Sequence, residues 1–311
     1  MITFLFFLFI VFSLTCLLFW IWVKNDRSYS SNKSVSEAYD NWTNDLLLER
    51  LWGEHIHLGY YQNTSKKTDF RKAKIDFVHQ LVHWSGLDKL PKGSRVLDVG
   101  CGIGGSSRIL ARDYGFDVLG ISISSEQVSR ARQLTQKETT CRFEVMDALE
   151  MQLEKGSFDG IWSVEAGPHM PDKQLYADEM LKVLRPGGVL AVADWNRRDP
   201  QDGAFSRLEE FVLRQLLNQW SHPEFSSIQS FRSNLYNSPF SGGIVETEDW
   251  TKFTLPSWHD SIIEGFRRPG SILTLGGLSL FKAIREIPTI LLMRWAFKNG
   301  LMQFGVFKMR G

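Results

Sequence analysis

Two histidines and a glutamate stand where this chain could move a proton. Glu165 and His169 follow the apolar run Phe158–Val164, and His222 lies in a Ser-His-Pro break farther along. An imidazole near its ordinary pKa can take a proton from a hydroxyl, and a neighbouring carboxylate can orient it. His169 is the first choice as general base or hydroxyl-orienting group. Glu165 would orient that histidine or meet a cationic ligand, and His222 is a second base candidate. The structural alternatives are a histidine bonded to loop backbone for His169 and a capped turn before Pro223 for His222.

A second constellation is suited to holding a ligand. Asp98-Val-Gly100-Cys-Gly102-Ile-Gly104-Gly105 follows a β-rich run and opens a helix. Glycines are needed where the chain turns tightly at positive φ and a ligand must approach the backbone. Gly100, Gly102 and Gly105 satisfy the dinucleotide spacing GxGxxG; Gly100, Gly102 and Gly104 satisfy the GxGxG of methyltransferases, so the glycines alone do not decide. Three neighbours do. Asp98 puts a negative charge where a pyrophosphate would be repelled and an amino group welcomed. A dinucleotide site wants an acid about 20 residues after the turn, and the chain there reads Gly-Ile-Ser122-Ile-Ser-Ser-Glu-Gln127. Met146-Asp147-Ala148 closes the third strand, where Asp147 can accept from an adenine amino group; its alternative is a helix N-cap.

His55 and His57 share one face if their segment is extended. No third ligand is marked by spacing, so no metal is expected. Trp52, His55, His57, Tyr60 and Tyr61 are read instead as a wall of an acceptor pocket, with Tyr39 closing over the cofactor.

These residues need a frame. Arg95–Val99, Phe116–Ile121, Cys141–Met146, Phe158–Val164 and Val189–Ala193 read as strands, alternating with helices from about Ser106 to Tyr114, Ser125 to Leu134 and Asp172 to Leu184. That alternation predicts a doubly wound α/β sheet, mostly parallel and covered on both faces, with an antiparallel last strand. Residues 200–240 look helical with a break at 221–223. Residues 244–254 and 303–309 are late strands, and 278–298 is an apolar basic segment interrupted by Pro288. The domain reading is 35–91 as an N-terminal helical cap, 92–199 as the cofactor-binding core and 200–311 as an acceptor lid with the final strands, in which 278–298 is either a membrane-interface helix guiding a lipid tail or an ordinary core helix.

The set DVGCGIGG, MDA, FDGIWSVEAGPHMPD and LRPGG resembles the successive motifs of class I (Rossmann-like) S-adenosylmethionine-dependent methyltransferases. GISISSEQ departs from that class's usual acid and is similar to the branch containing tocopherol, sterol and cyclopropane-fatty-acid methyltransferases. AYDNWTNDLLLERLWGEHIHLGYY, ADWNRRD, QWSHPEF and REIPTILLMRWAFK extend the resemblance, over nearly everything after residue 34, to the 2-methyl-6-phytyl-1,4-benzoquinol methyltransferases of tocopherol synthesis. The resemblance implies S-adenosyl-L-methionine as methyl donor, with Ser122 and Gln127 on its ribose and methionine portions, and a prenylated benzoquinol as acceptor. A γ-tocopherol or sterol acceptor is the enzymatic alternative, and a membrane-tethered cofactor-binding regulator the non-enzymatic one.

Composition excludes other classes. Among 311 residues, Lys+Arg number 36 and Asp+Glu 35, so no basic field argues for nucleic acid. The 3 cysteines form no disulfide framework or CxxC metal site. Residues 2–23 carry no charged side chain, long enough as a helix to cross a hydrocarbon core of about 30 Å. Residues 1–23 are therefore expected to form a single transmembrane anchor, flanked by Trp20, Trp22, Lys24 and Arg27 and followed by a polar tether at 24–34. The positive-inside rule puts the catalytic domain on the cytoplasmic side of a plasma or thylakoid membrane, where a lipid-soluble quinol would be met. No oligomeric state is implied.

Overall fold

The computed structural model describes residues 13, 17, 20–24, 27–31, 40, 43–44, 46–62, 68–136, 140–268, 270 and 277–311. In chain order the elements are α1 (Leu47–Trp52), α2 (Phe70–Ser85), β1 (Arg95–Val99), α3 (Gly105–Tyr114), β2 (Asp117–Ser122), α4 (Ser125–Leu134), β3 (Cys141–Val145), β4 (Phe158–Val164), α5 (Lys173–Val183), β5 (Leu184–Arg197), α6 (Arg207–Gln219), α7 (Ile228–Asn237), β6 (Val245–Asp249), α8 (Thr251–Thr254), α9 (Pro256–Arg267), α10 (Gly277–Lys298) and β7 (Met302–Arg310). Short 3₁₀ turns lie at Leu87–Lys89, Gly167–His169 and Pro200–Asp202.

The strands form one sheet in the order β3-β2-β1-β4-β5-β7-β6. β1 to β5 pair in parallel, and β7 runs antiparallel between β5 and β6. The order reverses at β1, whose neighbours β2 and β4 lie on opposite sides, and ligands of such sheets bind at the carboxyl ends beside that reversal. Side chains alternate between two cores. Val96, Val118, Val189 and Ala191 face the layer of α2, α3, α6 and α10. Leu97, Leu119, Leu190 and Val192 face α5 and α7.

Local chemistry accounts for the element ends. In α2, Asp69 accepts from the Lys72 N–H at 2.9 Å, and Gly86 ends the helix at φ 79°. Its inward face is Phe70, Ala73, Lys74, Phe77, Val78, Leu81 and Val82, the i, i+3, i+4, i+7 stripe of an amphipathic helix, with one lysine in it. α6 opens with a capping box between Ser206 and Glu209. The late strand expected over 244–254 stops at Asp249, because Asp249 Oδ1 takes the Thr251 N–H at 2.8 Å and turns the chain into α8. β5 outgrows Val189–Ala193 because β7 pairs with it as far as Arg197.

The N-terminal expectation is corrected. Among the described residues no helix is long and apolar enough to cross a membrane. Most of residues 1–19 lie outside the described residues, and the described end of the segment belongs to the enzyme body. Trp22 is buried and its carbonyl accepts from Gln219 Nε2 at 2.9 Å. Arg27, read as a flanking charge at a membrane surface, donates through its backbone N–H to the Asn218 carbonyl at 2.6 Å. Its guanidinium pairs with Glu286 of α10 at 2.7 Å. A membrane anchor and the cytoplasmic-side placement derived from it are withdrawn on this finding.

Phe77 joins the cap to the sheet, with its ring 5.1 Å from His57, 5.9 Å from Trp250 and 5.6 Å from Phe304. Its side chain is fully buried. Phe77→Ala should lower unfolding free energy in denaturant titration by about 3–5 kcal/mol; a loss under about 1 kcal/mol would show that this packing is not specific.

Candidate active site

The carboxyl ends of β1, β2 and β4 open into a cavity of about 790 Å³. One end is the glycine turn. Gly100 sits at φ 76°, and a Cβ there would lie 2.5 Å from Ala166 Cβ, so no other residue fits. Gly102, at φ 54°, lines the cavity, and a Cβ added to it would meet no atom within 4 Å. The turn therefore leaves open space above its own backbone, which is what a cradled ligand needs. Gly104 has φ 81° and lies against the Phe143 ring.

The predicted donor-side groups converge here. Asp98 is buried and accepts from Ser107 Oγ at 2.5 Å. Desolvation pushes its carboxyl up to about 7, with the Ser107 hydrogen bond opposing. Ser122 Oγ donates to Gln127 Oε1 at 2.8 Å, and both line the cavity with Asp147 and Ala148. Asp147 caps no helix; its Oδ1 accepts from the Leu149 N–H at 2.9 Å in a turn. Tyr39 lies outside the described residues.

The cap is partly rearranged relative to expectation. His55 and His57 lie in an irregular stretch that bends at Glu54 and His57, and they contact each other, with His57 Nε2 3.3 Å from His55 Nδ1. They press on the glycine turn and not on the far, aromatic end of the cavity. A Cβ on Gly105 would lie 2.9 Å from His55 Nδ1, and Ser106 Oγ is 3.5 Å from His57 Nε2. The His57 Nδ1 contact at 2.8 Å is to the Leu58 carbonyl, which only accepts, so Nδ1 carries the proton. Burial lowers His57 to about 3 and His55 well below its ordinary value, so both are neutral. Trp52 lines the cavity. Tyr60 and Tyr61 do not: Tyr60 stacks on Phe253 at 4.7 Å, and Tyr61 Oη donates to Asp260 at 3.0 Å. Their backbone N–H groups are taken by the Ala73 and Phe253 carbonyls, which turns this stretch away from the pocket.

Glu165 sits directly after β4 in a left-handed conformation, φ 56°. Its Oε1 accepts the Leu58 N–H at 2.7 Å, tying the cap to the sheet. Desolvation raises the Glu165 carboxyl to about 7, opposed by that hydrogen bond and by Lys74. Lys74 was missed by sequence reasoning. Its Nζ donates to the His55 carbonyl at 2.6 Å, over the Phe70 and Trp52 rings at 4.4 and 5.0 Å. Burial lowers its amine to about 7. The available signal was a lysine inside the apolar stripe of α2.

The far end of the cavity is aromatic. Trp195 lies 5.4 Å from Trp258 and 5.9 Å from Trp220, and Trp220 stacks on Trp258 at 6.3 Å. His169 and His222, 53 positions apart in chain order, meet here with ring centroids 4.3 Å apart. Burial lowers His169 to about 3 and His222 well below its ordinary value, so both imidazoles are neutral. Lys173 Nζ donates to the Gly167 carbonyl at 2.8 Å and the Met170 carbonyl at 2.5 Å, while Asp194 Oδ1 accepts the Gly167 N–H at 3.1 Å. These two residues, absent from the sequence-based set, hold the turn that carries His169. Phe266 and Ile284 both line the cavity and are exposed, so its apolar side reaches the surface between α9 and α10.

A family model described as a methyltransferase domain matches residues 97–192. The chain is 54% identical over 288 residues to 2-methyl-6-phytyl-1,4-hydroquinone methyltransferase from Synechocystis sp. (strain ATCC 27184 / PCC 6803 / Kazusa), covering 93% of this chain and 91% of that protein. It is 30% identical over 286 residues to a chloroplastic tocopherol O-methyltransferase of Arabidopsis thaliana, covering 88% and 80%. Among solved structures, geranyl diphosphate C-methyltransferase from Streptomyces coelicolor A3(2) matches with TM-score 0.68 at 16% identity, covering 89% of this chain and 97% of that one. The cyclase SpnF matches with TM-score 0.71 at 20% identity, covering 91% and 98%. At such identities these structures support the fold alone.

Glu165 has a folded pKa of about 7 against an ordinary value of 4.5, so the folded state holds its proton more tightly. The stability this contributes is fully present below about pH 4.5 and is lost as pH rises through about 7. Unfolding free energies compared across that window should show the wild type losing ground to Glu165→Gln as pH rises. Parallel profiles for the two proteins would contradict the assignment.

Proposed function

The chain belongs to the S-adenosylmethionine-dependent methyltransferase family that includes the 2-methyl-6-phytyl-1,4-hydroquinone methyltransferases, and from that premise we propose that it methylates a ring carbon of a prenylated benzoquinol in tocopherol and prenylquinone synthesis. The acceptors are 2-methyl-6-phytyl-1,4-benzoquinol and its solanesyl analogue. The observation that carries this reading is a cavity of about 790 Å³ that both sets of residues line. A glycine cradle lies at one end and a box of three tryptophans and two neutral histidines at the other.

The residues at the first end suit the donor. Asp98 offers a buried carboxyl for a cationic amino group, Ser122 and Gln127 offer hydroxyl and amide groups, and Asp147 an acceptor for an exocyclic amine. When bound, S-adenosylmethionine supplies a methyl group already activated on a sulfonium. What remains for the protein is positioning and the disposal of protons.

At the second end, the planar faces of Trp195, Trp220 and Trp258 suit an aromatic ring and exclude water. Attack by a ring carbon requires electron density from a ring hydroxyl, so that hydroxyl must be at least partly deprotonated. His169 and His222, held neutral by burial, orient the hydroxyl as hydrogen-bond acceptors. Glu165, with its pKa near 7, is the better matched proton acceptor. The sequence favoured His169 for that task; the burial of both imidazoles shifts the choice. The way out past Ile262, Phe266 and Ile284 suits an isoprenoid tail.

Purified enzyme incubated with methyl-labelled S-adenosylmethionine and 2-methyl-6-phytyl-1,4-benzoquinol should yield a labelled dimethyl product. Label in γ-tocopherol or a sterol, and none in the quinol, would overturn the acceptor. His169→Ala and His222→Ala should each lower kcat about 10²-fold by loosening the ring's orientation, with S-adenosylhomocysteine affinity little changed in calorimetry. Loss of affinity in step with kcat would assign the histidines to the donor site.

A further inference from the structure

α2 carries one charged side chain on the face it turns to the core. Lys74 is 1% exposed and lines the cavity. Burying an ammonium is expensive unless something compensates it. The compensation found is small for a purely structural role: one carbonyl, that of His55 at 2.6 Å, and two aromatic faces. An ammonium has three N–H donors, and His55 takes one of them. A leucine or methionine at this position would complete the apolar stripe of α2 without any desolvation penalty.

The charges around Lys74 define what its cation can do. Glu165 faces it from the turn after β4 and Glu264 from α9, while Arg71 lies on its own helix. His55 and His57 of the cap are neutral. Glu264 is already engaged by Arg267 at 3.7 Å and by Arg268. Arg71 donates outward to the Arg50 carbonyl at 2.7 Å. Among the described residues no cation forms an ion pair with Glu165 within 4 Å. Its carboxyl accepts a backbone N–H, and Lys74 is the cation that favours its ionised form.

We propose that Lys74 is a catalytic residue whose ammonium stabilises the negative charge that passes between Glu165 and a hydroxyl oxygen of the acceptor ring. This rests on the quinol reading given above. The ring O–H bond breaks, its proton goes to the Glu165 carboxylate, and the electron pair left on oxygen is delocalised onto the ring carbon, which takes the methyl as the methyl–sulfur bond of the donor breaks and leaves its pair on the neutral thioether sulfur. That carbon then loses its hydrogen as a proton, the ring oxygen regains one, and one proton in net is released per methyl transferred. Until the methyl is transferred one negative charge resides on Glu165 or on the ring oxygen; the transfer neutralises it, and loss of the carbon-bound proton restores it to the oxygen. Lys74 and Glu165 line the same cavity, and the lysine's charge favours the ionised carboxylate. A cation in a low-dielectric pocket is worth far more than one in water.

The test uses the full chain with Lys74→Met and Lys74→Arg. Wild-type turnover is measured first with a series of prenylated quinols of graded hydroxyl acidity. Lys74→Met should bind S-adenosylhomocysteine as the wild type does and lose kcat about 10²–10³-fold on the least acidic quinol. The loss should shrink as the quinols become more acidic, the rising limb of the kcat–pH profile should move to higher pH, and Lys74→Arg should recover part of the rate. A loss of equal size for every quinol with an unmoved pH profile would make Lys74 a strut of the cap and overturn the proposal.

A readout independent of turnover guards against a misfolded variant. A chromogenic phenol bound to the wild type should show the absorbance of its anion at a pH where it is neutral in solution. Binding as the neutral phenol overturns the proposal. Absence of wild-type quinol turnover would overturn the acceptor reading and this inference with it, whereas turnover with a flat dependence on hydroxyl acidity overturns only the inference.

Discussion

The bond from the Leu58 N–H to the Glu165 carboxyl, 2.7 Å long, spans 107 positions of chain and joins the N-terminal cap to the end of β4. It holds the cap at the end of β4, while the Glu54–Arg108 ion pair at 2.7 Å holds it over the glycine turn. A non-glycine residue at φ 56° stores strain on the order of 1–3 kcal/mol, and such conformations persist only where their surroundings over-determine them. Glu165 is over-determined on both sides. Its own backbone N–H donates to the Ala193 carbonyl of β5 at 2.7 Å, and its side chain is held by the cap. The conformation aims a carboxyl across the mouth of the sheet, where an extended strand would have carried it onto a face.

Burial beneath the cap and at the ends of the strands sets the proton chemistry of these groups. The same desolvation raises Asp98 and Glu165 to about 7 and lowers His57 and His169 to about 3. Carboxyls thus become groups that exchange protons near neutrality, while imidazoles become neutral hydrogen-bonding groups. Residue type alone would assign these roles the other way round.

Much of the frame was legible in the chain. Arg95–Val99 and Phe158–Val164 are strands at the predicted boundaries, and the glycine turn opens α3 at the switch point where the local pattern put it. These features depend on periods of two and 3.6 residues and on turn chemistry, all short-range. The lining of the cavity was legible where it clusters in sequence, as in Asp98 to Ile103 and Ser122 to Gln127. It was not legible where distant segments meet. Tyr60 and Tyr61 look like pocket residues by type, yet backbone bonds to Ala73 and Phe253 carry them elsewhere. Trp195, Trp220 and Trp258 form one box from three elements, and no local pattern joins them. The apolar leader reads as a membrane span by hydropathy, whereas its described end is tied to α6 and α10 by Gln219 and Glu286. Lys74 was visible as a broken rule in an amphipathic stripe, and such breaks are where function is most often found.

The central claim is that the Glu165 latch makes donor turn and aromatic box one continuous site. Amide hydrogen exchange at Leu58 reads it directly. In the wild type this amide should exchange slowly, and in Glu165→Ala it should exchange about 10–100-fold faster, as expected for losing a hydrogen bond to a charged group. The amides of β1 and β4 should be unaffected, and Glu165→Gln should restore part of the protection. If Leu58 exchanges equally slowly in Glu165→Ala, the cap is held by something else and the account given for the site is wrong.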